Sequence, residues 1–312
     1  MIAKKFKGVV VPMVSPFTKT HIIDVGAVKK ITEYLVEHGT QPFVLGTTGE
    51  SASIAKNERL TLVKETVLAA KGSATVYAGI SGNCFAEVLD EAKAFADLGV
   101  DALVSTMPSY YPVDDSQMLN YFELLANSVP LPLIIYNIPA TTHLSIPLNM
   151  VAKLSEHKNI YGFKDSEKGA ERVREAIDRF KNREDFSYLL GWALMSQEAM
   201  LLGADGIVPS TGNISPGLYQ RIYEAGRAGK SQEALAAQNK ADDISNLYQK
   251  DKILSRSLPA LKAMMSAYHL CTPAVLPPFA ELGEDESKAI ITQLLNTYGD
   301  VADINNITNN EQ

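Results

Sequence analysis

Three short segments carry residue types suited to carbonyl chemistry. Lys164 closes the apolar run Ile160-Tyr-Gly-Phe-Lys164 and is followed by Asp165. A lysine in a closed, partly apolar site falls below its ordinary pKa of ~10.4, because desolvation penalises the ammonium. The neutral amine is the nucleophile of Schiff-base formation, and bringing the pKa near 7 asks about 4–5 kcal/mol of the surroundings. The plainer alternative is a lysine snorkelling at a rim or paired with Asp165. Tyr136 ends a second apolar run and opens Tyr136-Asn-Ile-Pro139. Its phenol can shuttle protons as a carbinolamine forms and collapses, or simply sit half-buried with its hydroxyl in water. The loop Gly46-Thr47-Thr48-Gly49 offers two hydroxyls and backbone amides that suit a small carboxylate, or an ordinary turn.

These segments need a scaffold that brings them together. Strand-like runs at 8–14, 42–45, 75–78, 101–105, 131–136, 160–164, 186–190 and 206–209 alternate with helical patterns such as 25–37, 57–70, 85–97 and 147–155. Short β-branched runs separated by amphipathic stretches predict βα repetition and a parallel sheet. Gly39, Gly99 and Gly203 each follow a helical pattern and precede a strand, where a residue free to turn left-handed ends the helix. Eight such units predict a (β/α)8 TIM barrel over 1–230, whose active site lies at the C-terminal ends of the strands. All three segments stand at such ends. Alternation places Lys164 on one face with Ile160 and Gly162, and Tyr136 on one face with Ile134. Helical patterns at 232–249, 254–269 and 285–297 predict a C-terminal helical extension over 231–302, and the Asn-rich 303–312 predicts a frayed tail.

Composition removes several classes of function. The 312 residues are 46% hydrophobic and 21% charged, an ordinary globular balance. Net charge is −7, which disfavours a phosphate backbone, so nucleic acid is not an expected partner. Cys84 and Cys271 stand far apart and in no metal-like spacing, as free thiols do in a reducing compartment. The apolar stretch near the N-terminus is short, holds Pro12 and has no small-residue cleavage site, and no run of about 18 apolar residues offers a membrane span. The chain therefore reads as soluble and cytoplasmic. Neither a GxGxxG nor a GxxxxGK[ST] pattern follows a strand. The 209–213 loop lies where barrels often bind phosphate, but it has no paired glycines and no basic residue before Arg221.

Together the motifs resemble the dihydrodipicolinate synthase / N-acetylneuraminate lyase family of class I pyruvate-dependent aldolases. The likeness runs from about Phe6 to the C-terminal helices. GTTGES at 46–51, YNIP at 136–139 and the strand-six Lys164 stand in family order and at family-like separations. The resemblance implies a homotetramer acting on pyruvate or another 2-oxo acid and an aldehyde, without metal or organic cofactor. It makes Lys164 the Schiff-base residue and Tyr136 the proton relay. Thr47 and Thr48 would hold the pyruvate carboxylate, with Thr48 extending the relay. Tyr110 matches a tyrosine that reaches into a neighbouring subunit's site, and Val208 a backbone carbonyl beside the imine.

Departures from the family pattern bear on the substrate. Dihydrodipicolinate synthases typically carry arginine two residues beyond YN-x-P, where this chain has Thr141. A hydroxyl cannot replace a bidentate guanidinium clamp on a carboxylate. Sialic acid lyases place carboxylates after the strand-seven glycine, whereas Gly191 is followed here by Trp192-Ala193-Leu194. The expectation is a 2-keto-3-deoxy sugar acid aldolase. A 4-hydroxy-tetrahydrodipicolinate synthase and a 2-oxo acid dehydratase on the same scaffold are the alternatives.

Overall fold

A computed structural model describes residues 4–299. Strands β1 (Gly8–Pro12), β2 (Gln41–Val44), β3 (Tyr77–Gly79), β4 (Ala102–Ser105), β5 (Leu133–Asn137), β6 (Ile160–Asp165), β7 (Ser187–Leu190) and β8 (Gly206–Ile207) pair in parallel. The sheet closes through β1 and β8 into a barrel in sequence order. The helices α1 (Val25–Glu37), α2 (Lys56–Ala70), α3 (Phe85–Leu98), α4 (Asp115–Ser128), α5 (Pro139–Thr142), α6 (Leu148–Leu154), α7 (Ala170–Phe180), α8 (Ser196–Leu202) and α9 (Pro216–Arg227) fall between and after the strands. Helices α10 (Ser231–Gln249), α11 (Leu254–Ala267) and α12 (Glu284–Tyr298) follow. This is the expected (β/α)8 barrel with helices at its C-terminus. The expected tail lies outside the described residues.

Two apolar cores follow from the period of two along each strand. One face of the strands packs against the helices, in a core that runs on without a break into α10, α11 and α12. The other fills the barrel with Phe6, Val10, Phe43, Tyr77, Val104, Ile134, Leu189 and Val208. Gly39, Gly99 and Gly203 take φ of +74°, +91° and +101°, the left-handed turn required to leave a helix for the next strand.

Local polar groups correct some expected strand limits. The third strand starts at Tyr77 rather than Thr75, and Asp101 captures the N–H of Val76 at 2.8 Å. The first stops at Pro12, beyond which Val14 donates to the Asn213 side chain at 3.0 Å instead of to a strand. Ile160 does not share a face with Lys164. The β5–β6 register shifts at Leu133/Ile134, so that Ile160 joins the outer core while Lys164 borders the interior. The alternation that places Lys164 begins at Gly162, where an added Cβ would lie 2.9 Å from Ser187 O.

Candidate active site

Lys164 and Tyr136 are register partners on β6 and β5. The Lys164 side chain borders the barrel interior, and the residue is only 4% exposed. Its Nζ lies 3.7 Å from the Tyr136 ring centroid and 4.6 Å from that of Phe43. Around it, Val10, Tyr77, Val104, Ile134, Leu189 and Val208 form apolar walls. Burial pulls the ammonium below its ordinary range, and Tyr136 alone opposes the shift.

Asp165 does not pair with Lys164, because adjacent strand residues point to opposite faces. It lies outside the barrel wall, where Arg172 Nε donates to it at 2.8 Å and Asn137 Nδ2 at 2.8 Å. Burial pushes its carboxyl up while Arg172 and Asn137 hold it back. Asn137 also accepts from the N–H of Ile146 at 3.0 Å. This network ties the ends of β5 and β6 to α7 and to the segment after α5, and it leaves Lys164 without a carboxylate.

The Gly46–Gly49 loop caps β2. Its N–H groups at Gly49 and Glu50 close turns onto Gly46 O and Thr47 O at 3.1 Å each. Among the described residues Thr47 and Thr48 donate no backbone hydrogen bond. Thr47 Oγ1 lies 3.5 Å from the Tyr136 hydroxyl, so phenol and threonine form a chain leading away from Lys164. Two glycines make the turn possible: an added Cβ at Gly46 would meet the Phe43 ring at 2.9 Å, and one at Gly49 would meet Met13 O at 3.0 Å.

Above this loop opens a cavity of about 440 Å³. Thr47, Tyr136 and Thr141 line it. Thr48 is buried beside it without lining it. Val208 lies lower, against the Lys164 side chain, and its N–H donates to Leu190 O at 2.7 Å. Gly191 and Trp192 are not in the cavity wall. Gly191 donates to Asp165 O at 2.7 Å, and an added Cβ there would meet Ser166 Oγ at 2.1 Å. Tyr110 is 75% exposed and stands against Tyr111, and it lines neither the cavity nor the Lys164 pocket of its own chain.

Other wall residues were not singled out by sequence. Ser81 and Asn83 follow β3, at a strand end where the barrel rule would have found them. Arg59, Leu254 and Phe279 come from α2, α11 and the segment before α12, and nothing local in the sequence points to them. Arg59 is the cavity's cation, and Glu91 (2.7 Å) and Ser51 O (3.0 Å) already hold it. Arg256 of α11 is exposed and paired with Glu286 at 2.6 Å, so it is not a free grip for a carboxylate. The polar groups after β8 are also occupied: Asn213 bonds to Val14, Pro12 and Ser210, and Thr211 meets Tyr248. Among the described residues no cluster of His, Cys, Asp and Glu could hold a metal, and no helix is long and apolar enough to cross a membrane.

A buried lysine at the top of strand six, beside a strand-five tyrosine in a closed βα barrel, defines a lyase of the class I aldolase type. The match to the Dihydrodipicolinate synthetase family covers residues 5–296, and the chain belongs to that family. A dihydrodipicolinate synthase from Bacteroides thetaiotaomicron superposes with a TM-score of 0.89 at 31% identity, over 94% of this chain and 99% of that one. A prophage protein of the dihydrodipicolinic acid synthase family from Escherichia coli K12, solved in complex with pyruvate, gives 0.87 at 26% identity, over 94% and 98%. The probable 2-dehydro-3-deoxy-D-pentonate aldolase of Escherichia coli K12 is 28% identical over 303 residues, 95% of this chain and 98% of that protein.

Proposed function

We propose that the protein is a pyruvate-dependent aldolase that makes or cleaves 2-keto-3-deoxy sugar acids. The observation that carries this reading is Lys164, a buried amine with two aromatic faces and, among the described residues, no carboxylate partner. The amine attacks C2 of pyruvate, and the carbonyl oxygen takes a proton from Tyr136 as the C–N bond forms. The nitrogen returns its proton through Tyr136 and Thr47, and loss of water leaves the imine. The protonated imine gives up a C3 proton to the Tyr136 phenolate to form an enamine, and as its C3 bonds to the aldehyde carbon the aldehyde oxygen takes that proton back. Water then hydrolyses the new imine and frees Lys164. Thr47 and Thr48 hold the pyruvate carboxylate and Val208 frames the imine, while Gly191, outside the cavity wall, supports the Lys164 strand through Asp165 O. Tyr110 extends the relay from a neighbouring copy in a homotetramer.

The cavity chemistry supports a hydroxylated, uncharged aldehyde. Its polar lining includes Ser51, Ser53, Ser81, Asn83, Thr106 and Thr141, and its cation is neutralised by Glu91. A site that hydrogen-bonds the hydroxyls of its substrate discriminates against a partner that lacks them. Borohydride reduction with pyruvate tests the chemistry and is expected to place a pyruvyl adduct on Lys164. Label on another lysine, or no label, refutes the reading. Product analysis on a 3-deoxy-2-oxo sugar acid tests the substrate: pyruvate plus aldehyde supports an aldolase, and a dehydrated acid makes it a dehydratase.

A further inference from the structure

Glu50 has no part in the imine chemistry above, yet the fold places it at some cost. Its φ is +55°, a left-handed backbone that a side chain with a Cβ disfavours. Its side chain is 1% exposed. Lys262 of α11, also 1% exposed, donates to Glu50 Oε1 at 2.5 Å from 212 residues away in the chain. The other carboxylate oxygen accepts from the N–H of Leu276 at 2.8 Å, and Lys262 donates a second bond to Ala274 O at 2.8 Å. Burying an ion pair gains little over well-packed apolar side chains, so packing alone does not call for one. Three directed bonds do fix geometry.

The geometry they fix is that of the pyruvate loop. Glu50 N–H donates to Thr47 O at 3.1 Å, so movement of Glu50 is passed to the threonine next to Tyr136. On the other side of the turn Ser15 Oγ donates to Gly49 O at 2.6 Å. Glu50 itself lines the cavity, and the helical extension adds Leu254 and Phe279 to the same wall. We infer that Glu50 and Lys262 are positioning residues through which the C-terminal helices set the Thr47–Thr48 loop for the substrate carboxylate, an inference that rests on the pyruvate reading.

The test is saturation of borohydride trapping by pyruvate in the full-length Glu50→Gln/Lys262→Met double variant. This removes both charges together and leaves no buried ion unpaired, and the glutamine still accepts from Leu276. Displacement of a binding group by a fraction of an ångström to 1 Å is expected to raise the half-saturating pyruvate concentration about tenfold. The trapping rate at saturating pyruvate stays within about twofold, because Lys164 and its walls are untouched. A folded double variant with unchanged half-saturation overturns the inference, as does a fall confined to the saturating rate. Should the double variant not fold, Glu50→Asp decides: it keeps the charge but withdraws the carboxylate by one methylene. A raised half-saturation there sustains the inference and an unchanged one overturns it. Failure of the wild type to trap pyruvate sinks the functional reading and this inference with it. Trapping by the wild type with no change in the variants sinks this inference alone.

Discussion

Substitution of Thr141 by arginine tests how the cavity chooses its aldehyde. Thr141 lies in α5 and lines the cavity with Thr142, and its hydroxyl is only loosely engaged, 3.4 Å from Ile138 O. Arg59 already answers Glu91, so a carboxylated aldehyde entering the wild-type cavity finds no free guanidinium among the described wall residues. An arginine at 141 supplies one. A hydrogen bond to a charged group contributes about 1.5–3 kcal/mol, or roughly one to two decades in kcat/KM. The assay compares kcat/KM for aspartate semialdehyde and for glyceraldehyde, each with pyruvate, in wild type and Thr141→Arg. The expected outcome is a rise of about ten- to a hundredfold for the semialdehyde and no gain for glyceraldehyde. Robust wild-type turnover of aspartate semialdehyde would refute the reasoning. It would mean that the carboxylate is gripped from elsewhere and that the protein works as a 4-hydroxy-tetrahydrodipicolinate synthase. Lys164 chemistry would survive that result.

Two further outcomes follow from the same geometry. Tyr136→Phe keeps the ring beside Lys164 but removes the relay hydroxyl, so kcat should fall by about 10²–10⁴ with the pyruvate KM little changed; a loss under tenfold would remove Tyr136 from proton transfer. Lys164→Met should stabilise the fold near neutral pH, because burial lowers the folded-state pKa of Lys164 and the unfolded chain binds the extra proton. That gain should shrink as pH rises toward the ordinary lysine pKa of ~10.4, where the unfolded chain also gives up its proton, and a pH-independent difference in Tm would contradict it.

The barrel was legible in the sequence because its units repeat. Short apolar runs, helical patterns and glycine turns recur in step, and each is set by local sterics. Face assignment was less secure, and Ile160 shows why. A register shift between β5 and β6 leaves no mark in the composition, yet it changes which residues look inward. The Thr47 loop and the Lys164–Tyr136 pair could be found because each sits at the end of its own strand. The far wall could not, since Arg59, Leu254 and Phe279 meet only through tertiary packing. Lys262 did leave a trace. It stands four residues after Leu258 and three before Met265, on the apolar face of its helix, where an unpaired lysine is not expected.

The contrast between the two buried lysines carries the functional argument further than either does alone. Lys164 and Lys262 are 4% and 1% exposed, so burial by itself does not distinguish them. Their partners do. Lys262 has a carboxylate and a carbonyl within hydrogen-bond reach, and its lone pair is unavailable while that ion pair holds. Lys164 has two aromatic faces, which favour an ammonium by about 0.5–2 kcal/mol and so offset only part of the cost of burying it. A fold that needed both lysines only for packing would have no reason to treat them so differently. One lysine is tied to a carboxylate and a carbonyl beside the Thr47–Thr48 turn. The other is kept free of counter-charge beside a phenol, where an amine that must lose its proton, attack a carbonyl and recover can do so.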